Sequence, residues 1–232
     1  DTTGLGKAGN NEKYDPENLT PYENSPLAGK TILFVGSSVT QGYASKNISF
    51  VDYIGYLDQC TAIKEVYPAT TVTTLNENSY VPRLEQYTAS DKIDAVVIQL
   101  SSNDSTMGVD FGELNSSFNI ADFDDTTFIG GMETLIAYSK ETWDCPVIIY
   151  ANPAFRGKTF YNKAAYANMK DVVKQVTEKW GVTYLNMWDD PACNSLSDKQ
   201  FFSIMRLYLG EIKTPYNKHR LISQLAGFIR NE

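Results

Sequence analysis

The sequence predicts a single domain of the α/β class, a three-layer α/β/α sandwich around a mostly parallel sheet. Three observations support this. Strand-length apolar runs alternate with segments of helical periodicity along most of the chain. The first run, residues 31–36, is apolar enough for a strand that is covered on both faces. At 232 residues the chain can also bury one sizeable core without a second domain.

The apolar runs predict five strands, and the periodic segments between them predict helices. The strands are residues 31–36, 62–67, 95–100, 147–150 and 182–187. The helices fall near residues 50–57, 80–87, 128–142, 161–180, 198–208 and 221–230. Gly181 is typical of a helix C-cap, and Pro153 marks a loop after the fourth strand. Residues 107–125 lack a clear period and are predicted to form a long loop near the strand ends, where binding elements often lie.

The opening of the chain differs from the rest in composition. Residues 1–29 are polar and rich in Asn, Gly, Pro and Glu, so we predict a surface-wrapping leader there rather than a helix. The predicted α/β domain then occupies residues 30–232. A leader of this kind favours an extracellular or cell-surface bacterial protein whose anchor has been removed, although no signal peptide is visible.

Charge and composition exclude several classes of function. The net charge of −8 argues against a nucleic-acid or anionic-membrane partner, because both partners are themselves acidic. The longest apolar stretches are strand-length, so no transmembrane helix is expected. Three widely spaced cysteines and one histidine do not indicate a zinc site. We therefore expect neither a cofactor nor a metal.

The most informative motif is Gly-Ser-Ser-Val-Thr-Gln-Gly at residues 36–42, directly after the first predicted strand. It puts a hydroxyl on a sharp turn at the carboxyl end of a buried strand, where ligands gather in open α/β sheets. Glycines on both sides allow tight backbone geometry. The alternative is structural, since Ser37 or Ser38 could simply cap the segment that follows.

Three segments lie at the carboxyl ends of successive predicted strands. The first carries Ser38, the second is residues 68–71 with Ala69, and the third is residues 101–104 with Asn103. Because these ends share one edge of a parallel sheet, the three segments can converge. Acyl transfer needs such an edge, with a nucleophilic hydroxyl, donors for the developing oxyanion and a base. The alternative for Asn103 is an Asx turn that closes the strand.

Two of these segments resemble motifs of the SGNH, or GDSL-type, serine hydrolases. Residues 36–42 resemble the first block of that family, and Gln-Leu-Ser-Ser-Asn-Asp at residues 99–104 resembles its Asn-Asp block. The similarity also covers residues 25–58, 64–84 and 127–188, and it points to bacterial GDSL-like lipase or acylhydrolase proteins. It implies an SGNH hydrolase sandwich with a flavodoxin-like sheet.

The resemblance also implies roles for individual residues. Ser38 matches the nucleophile, and its own N–H is a donor for the oxyanion; Asn103 matches the side-chain donor. Ala69 falls where the family has a glycine that donates a backbone N–H, a change we expect to be tolerated if its φ is negative. Ser101 replaces another usual glycine.

The catalytic base is the point at which the resemblance breaks. The family carries an Asp-x-x-His pair before its last helix, whereas this chain has only His219, with Tyr216 three residues earlier. Two alternatives follow. A longer loop brings His219 to the nucleophile, with no acid or with Glu211 or another carboxylate to orient it. Otherwise the base has been lost and the protein is a non-catalytic ligand-binding module on the same scaffold.

The resemblance therefore implies a serine-dependent esterase, with Ser38 and His219 catalytic and with Ser38, Ala69 and Asn103 forming the oxyanion hole. Its partner would be a small ester or an acylated carbohydrate, and O-deacetylation of a carbohydrate is one reaction of this kind. The first loop is neither a Walker loop nor a G-x-G-x-x-G loop, which argues against a nucleotide-binding flavodoxin-like protein.

Overall fold

The computed structural model describes residue 12 and residues 15–43, 45–154 and 162–191. Five strands in that part of the chain form one all-parallel sheet in the order β2-β1-β3-β4-β5. They are β1 (Thr31–Gly36), β2 (Thr61–Val66), β3 (Ala95–Gln99), β4 (Val147–Ala151) and β5 (Thr183–Asn186). The predicted α/β/α sandwich with a flavodoxin-like sheet is confirmed.

Six α-helices lie in the described part of the chain. They are α1 (Ser38–Gln41), α2 (Phe50–Leu57), α3 (Tyr80–Leu84), α4 (Ser102–Met107), α5 (Phe128–Trp143) and α6 (Lys163–Trp180). Short 3₁₀ turns lie at Pro16–Asn18 and Ile120–Asp122. Among the described helices, none has both the length and the apolar character that crossing a membrane would require. The helices predicted near residues 198–208 and 221–230 lie outside the described residues.

Alternate residues of the strands enter two separate cores. One core contains Leu33 and Val35 of β1 and is covered by α3, α5 and α6. The other contains Ile32 and Phe34 of β1 and is covered by α2 and the segment before β1. From β1 the chain passes through α2 to β2 on one side of β1, and then through α3 to β3 on the other side. The direction in which strands are added therefore reverses between β1 and β3, and α2 and α3 cover opposite faces of the sheet. Ligand crevices form at such a reversal, outside the carboxyl ends of the strands.

The end of the predicted leader packs against the domain. Leu27 is buried, and Leu19 and Tyr22 contact the same core as α2. The Tyr22 N–H donates to the carbonyl oxygen of Leu57 (2.7 Å), and Ser25 Oγ donates to Asp58 Oδ1 (2.6 Å). Residues 15–29 therefore lie on the surface of the sandwich, and the division of the chain at residue 30 stays a prediction.

Candidate functional site

The loops that follow β1, β2 and β3 meet at one edge of the sheet. The register pairs Gly36 with Val66 and Val35 with Ile98, so all three strands end at nearly the same level. The backbone N–H of Tyr67 donates to the carbonyl oxygen of Gly36 (3.3 Å), which joins the first two loops. The structure thus places the segments of Ser38, Ala69 and Asn103 at a common edge.

Ser38 is the first residue of α1 and is half-buried. Ser37 occupies the N-cap position, but its side chain makes no capping hydrogen bond. Its hydroxyl instead donates to Gln99 Oε1 (3.3 Å), so Ser37 stands at the predicted cap position without capping the helix through its side chain. Within the described part of the chain, no group hydrogen-bonds to the Ser38 hydroxyl. That hydroxyl is therefore available to a substrate or to a base.

The turn that carries Ser38 rests on the buried amide of Gln99, the last residue of β3. Gln99 Oε1 accepts from the Ser37 N–H (2.9 Å) and from Thr40 Oγ1 (2.6 Å), residues on either side of Ser38. Sequence reasoning missed this contact. The available signal was a lone amide inside the otherwise apolar run of residues 95–100.

A second support comes from Arg83 of α3, which is also buried. Its guanidinium donates to the carbonyl oxygens of Gly36 (2.9 Å) and Glu65 (2.7 Å), and Nε donates to that of Asn78 (2.8 Å). A further bond reaches Glu65 Oε1 (3.2 Å). The planar guanidinium suits this fixed set of acceptors and ties the ends of β1 and β2 together. Sequence reasoning missed Arg83 as well.

Ala69 departs from the expectation made for it. Its φ is +59°, in the left-handed region, and not negative as the tolerance of alanine at this position required. This backbone conformation favours glycine, because the Cβ of an alanine crowds the neighbouring carbonyl oxygen and strains the main chain. The residue is exposed at the sheet edge and keeps its N–H. Its role as an oxyanion donor stays a prediction.

Asn103 is half-buried on α4 and contacts the second loop. Its Nδ2 donates to the carbonyl oxygen of Thr70 (2.8 Å), so the side chain bridges two loops and does not close a local Asx turn. Ser101 is the N-cap of α4: its Oγ accepts from the Asn103 N–H (3.1 Å) and donates to the same Thr70 oxygen (2.9 Å). An amide nitrogen carries two hydrogens, so one remains for a ligand.

The next residue, Asp104, is fully buried. Both carboxyl oxygens accept from the backbone N–H of Val72, at 3.1 and 3.2 Å, which fixes the second loop to α4. Burial raises the pKa of Asp104 to about 7, and the hydrogen bonding from the Val72 N–H opposes that rise without cancelling it. The ionisation of this carboxyl group therefore lies close to neutral pH.

The Tyr80 hydroxyl lies beneath the same loops, facing Ser37 and Ser101. It makes no hydrogen bond of good geometry to either residue. Burial raises the pKa of Tyr80 far above its usual value, so the phenol is neutral.

The predicted base, His219, lies outside the described residues, as do Tyr216 and Glu211. Within the described ranges, no three His, Cys, Asp or Glu residues are grouped so as to hold a metal ion.

The loop predicted at residues 107–125 borders a cavity of about 250 Å³. Ser38, Ala69 and Asn103 are not among the residues that line it. Glu133 of α5 is buried beside it. That carboxylate accepts from Lys179, from Trp180 Nε1 (3.1 Å) and from the Asn115 N–H (3.2 Å). Its hydrogen bonds link the loop to α5 and α6.

Comparison with solved structures gives the same fold. A protein from Lactobacillus plantarum has a TM-score of 0.66 at 15% identity, over 88% of this chain and 98% of that chain. A candidate GDSL-like lipase from Bacteroides ovatus has a TM-score of 0.55 at 13% identity, over 88% and 100%. A carbohydrate acetylesterase family member from Sinorhizobium meliloti has a TM-score of 0.57 at 12% identity, over 87% and 98%.

Comparison of the sequence with family models and curated proteins gives one match, which covers a short part of the chain. A family model described as TP_0021_N: N-terminal domain matches residues 186–230. No curated protein matches the chain. At the level of fold, the solved structures confirm the resemblance to SGNH/GDSL-type hydrolases that the two sequence motifs indicate.

Proposed function

We propose that this chain, which has the fold of the GDSL-type lipases and acetylesterases, is an ester hydrolase with Ser38 as its nucleophile. The observation that carries the proposal is the bridge from Asn103 Nδ2 to the Thr70 carbonyl oxygen (2.8 Å). It fixes an amide donor at the edge where Ser38 lies, whose hydroxyl bonds to no group in the described part of the chain. A nucleophile and a pre-oriented donor at one edge are what acyl transfer requires.

In the proposed reaction Ser38 Oγ bonds to the acyl carbon while its proton passes to an imidazole nitrogen of His219. The negative charge that develops on the carbonyl oxygen is stabilised by the N–H groups of Ser38 and Ala69 and by Asn103 Nδ2. Cleavage of the ester C–O bond expels the alkoxide, which takes the proton from His219 and leaves as the alcohol. Water, deprotonated by the same histidine, then attacks the acyl carbon; the bond to Ser38 Oγ breaks, and Ser38 regains its proton from His219.

The substrate we propose is a small acyl group on a carbohydrate or another short-chain ester. Two exposed tyrosines border the Ser38 turn and support this choice. Tyr43 donates its N–H to the Ser38 carbonyl oxygen (3.1 Å), and Tyr67 donates its N–H to that of Gly36 (3.3 Å). Aromatic side chains offer an apolar face on which a sugar ring packs.

The test is turnover of p-nitrophenyl acetate and of acetylated oligosaccharides, together with labelling by a fluorophosphonate. We expect the wild type to hydrolyse these substrates and the fluorophosphonate label to map to Ser38. Ser38→Ala should lose both, with kcat lower by up to about 10⁶-fold. Ser90→Ala, on an exposed loop, is the matched control and should keep both. A wild type with no serine-dependent turnover or labelling would leave the ligand-binding alternative.

The role of His219 needs its own variant. His219→Ala should lower kcat/KM by a factor comparable to that of Ser38→Ala, because both groups act in one step. An unchanged kcat/KM in His219→Ala would remove this histidine from the mechanism while leaving Ser38 in place.

A further inference from the structure

The amide of Gln99 has only one orientation that suits its neighbours. Its Oε1 faces three donors, the Ser37 N–H at 2.9 Å, Thr40 Oγ1 at 2.6 Å and, more weakly, the Ser37 hydroxyl at 3.3 Å. A flipped amide would turn its own hydrogens toward the Ser37 N–H, leaving buried donors face to face. The Nε2 atom donates in the other direction, to Asn152 Oδ1 (3.4 Å).

The direction of the next hydrogen bond follows. Thr40 Oγ1 also lies 2.7 Å from the hydroxyl of Tyr150. Since the single hydroxyl hydrogen of Thr40 is used on Gln99, Tyr150 must donate to Thr40. The result is a directed chain from Tyr150 through Thr40 to Gln99, and each bond in such a chain polarises the next.

Close packing leaves this arrangement little room to move. A Cβ built on Gly36 would lie 1.9 Å from Thr40 Oγ1 and 3.0 Å from Gln99 Oε1. Glycine at the end of β1 therefore lets the hydroxyl and the amide approach the backbone. Ser37, Thr40 and Gln99 are all essentially inaccessible to solvent.

We propose that Gln99 is a positioning residue that sets the orientation of the Ser38 peptide N–H and hydroxyl. Gln99 bonds to Ser37, one residue before Ser38, and to Thr40, two residues after it. The turn therefore cannot rotate without breaking a buried hydrogen bond. This inference rests on the function proposed above. A misplacement of about 1 Å at a reacting group can cost on the order of 100-fold in rate.

The experiment uses Gln99→Met, which keeps the side-chain length and removes both polar atoms. It also uses Thr40→Val, which is isosteric but lacks the hydroxyl, and Thr40→Ser, which keeps the hydroxyl and loses a methyl group. We expect Gln99→Met to lower kcat for p-nitrophenyl acetate by about 10- to 100-fold with KM within about twofold. Thr40→Val should lower kcat by about 10-fold, and Thr40→Ser, which keeps the hydroxyl, should restore it.

The control is Ser139→Ala on α5, which removes a buried hydrogen bond to the Leu135 carbonyl oxygen (2.7 Å) far from the Ser38 turn. It should leave kcat unchanged. A purely structural role for Gln99 would reduce the stability of Gln99→Met with an unchanged kcat, and would overturn the proposal. A Thr40→Ser variant as slow as Thr40→Val would also overturn it.

Amide hydrogen exchange separates this proposal from the proposed function. The Ser37 N–H donates to Gln99 Oε1, so this amide should exchange at least about tenfold faster in Gln99→Met than in the wild type, while the amides in the middle of β1 stay protected. A wild type without turnover would end the proposed function, and unchanged exchange at residue 37 would end the positioning role. If Gln99→Met does not fold, the kinetics of the two Thr40 variants test the positioning role.

Discussion

Asn103 Nδ2 donates a 2.8 Å hydrogen bond to the carbonyl oxygen of Thr70, so a side chain that follows β3 is held by the loop that follows β2. Ser101 Oγ donates to the same oxygen (2.9 Å). The amide plane of Asn103 is therefore fixed before any substrate arrives, and its second hydrogen has a set direction. Donors oriented in advance are the ones that stabilise a developing oxyanion.

Replacing this donor gives the first prediction. Asn103→Ala should lower kcat for a short-chain ester by about 10²- to 10³-fold with little change in KM, because the lost bond forms mainly in the transition state. Steady-state kinetics measures both constants. Asn119→Ala, on the surface loop, is the matched control and should retain kcat. A full kcat in Asn103→Ala would contradict the oxyanion role.

Ala69→Gly should stabilise the protein. Ala69 has a φ of +59°, which costs an alanine about 1–2 kcal/mol, while glycine loses about 0.5–1 kcal/mol more backbone entropy on folding. The free energy of unfolding, measured in urea, should rise by about 0.5–1 kcal/mol. The same substitution at Ala137, within α5, should lower it by about 1 kcal/mol. A loss of stability in Ala69→Gly would contradict the strain.

Asp104 should make stability depend on pH in an unusual direction. Burial raises the pKa of Asp104 to about 7 from the ordinary aspartate value of 3.8, so the folded state binds its proton more tightly than the unfolded state. The stability from this group is fully present below pH 3.8 and is lost as pH rises to about 7. Above that pH its contribution is constant.

Urea unfolding of the wild type and Asp104→Asn at pH 5, 6, 7 and 8 isolates this effect from other carboxylates. The unfolding free energy of the wild type minus that of Asp104→Asn should fall toward pH 7, by at most about 1.4 kcal/mol per pH unit, and then level off. A difference that grows with pH would show that hydrogen bonding outweighs burial at this carboxyl group.

Two buried tyrosines should respond in opposite ways to loss of the hydroxyl. Among the described residues the Tyr80 hydroxyl has no hydrogen-bond partner, so Tyr80→Phe should leave the free energy of unfolding unchanged or raise it by about 1 kcal/mol. Tyr150 bonds to Thr40, so Tyr150→Phe should lower it by about 1 kcal/mol. Chemical denaturation measures both. Equal losses in the two variants would mean that the Tyr80 hydroxyl is hydrogen-bonded after all.

The three central strands, β1, β3 and β4, could be predicted closely because they are buried on both faces. Residues 31–36 were predicted as a strand and form β1 with the same bounds, and α2 also keeps its predicted bounds. The predicted convergence of the three loops follows from strand order alone. Helix α4 was missed because Ser-Asn-Asp-Ser-Thr-Met is a poor helix former. It forms where Ser101 caps it and where Asp104 bonds to Val72, a contact across 32 residues.

Other features had no local signal. The left-handed φ of Ala69 is a property of the loop path, and nothing in the sequence near an alanine reports it. Gln99 and Arg83 act through backbone groups distant along the chain, with separations of 62 and 47 residues to Ser37 and Gly36. The packing of residues 15–29 depends on only a few apolar side chains, Leu27 among them.

The space around Gly36 limits how this protein can vary by mutation. An added methyl group would lie 2.4 Å from Thr40 Cβ, so even trimming residue 40 to alanine would not make room for it. Only glycine at residue 40 would remove both clashing atoms, and it would also remove the hydroxyl that donates to Gln99; otherwise the main chain of the turn itself would have to shift. Variation at this edge of the sheet is thus expected in the neighbouring loops rather than at position 36.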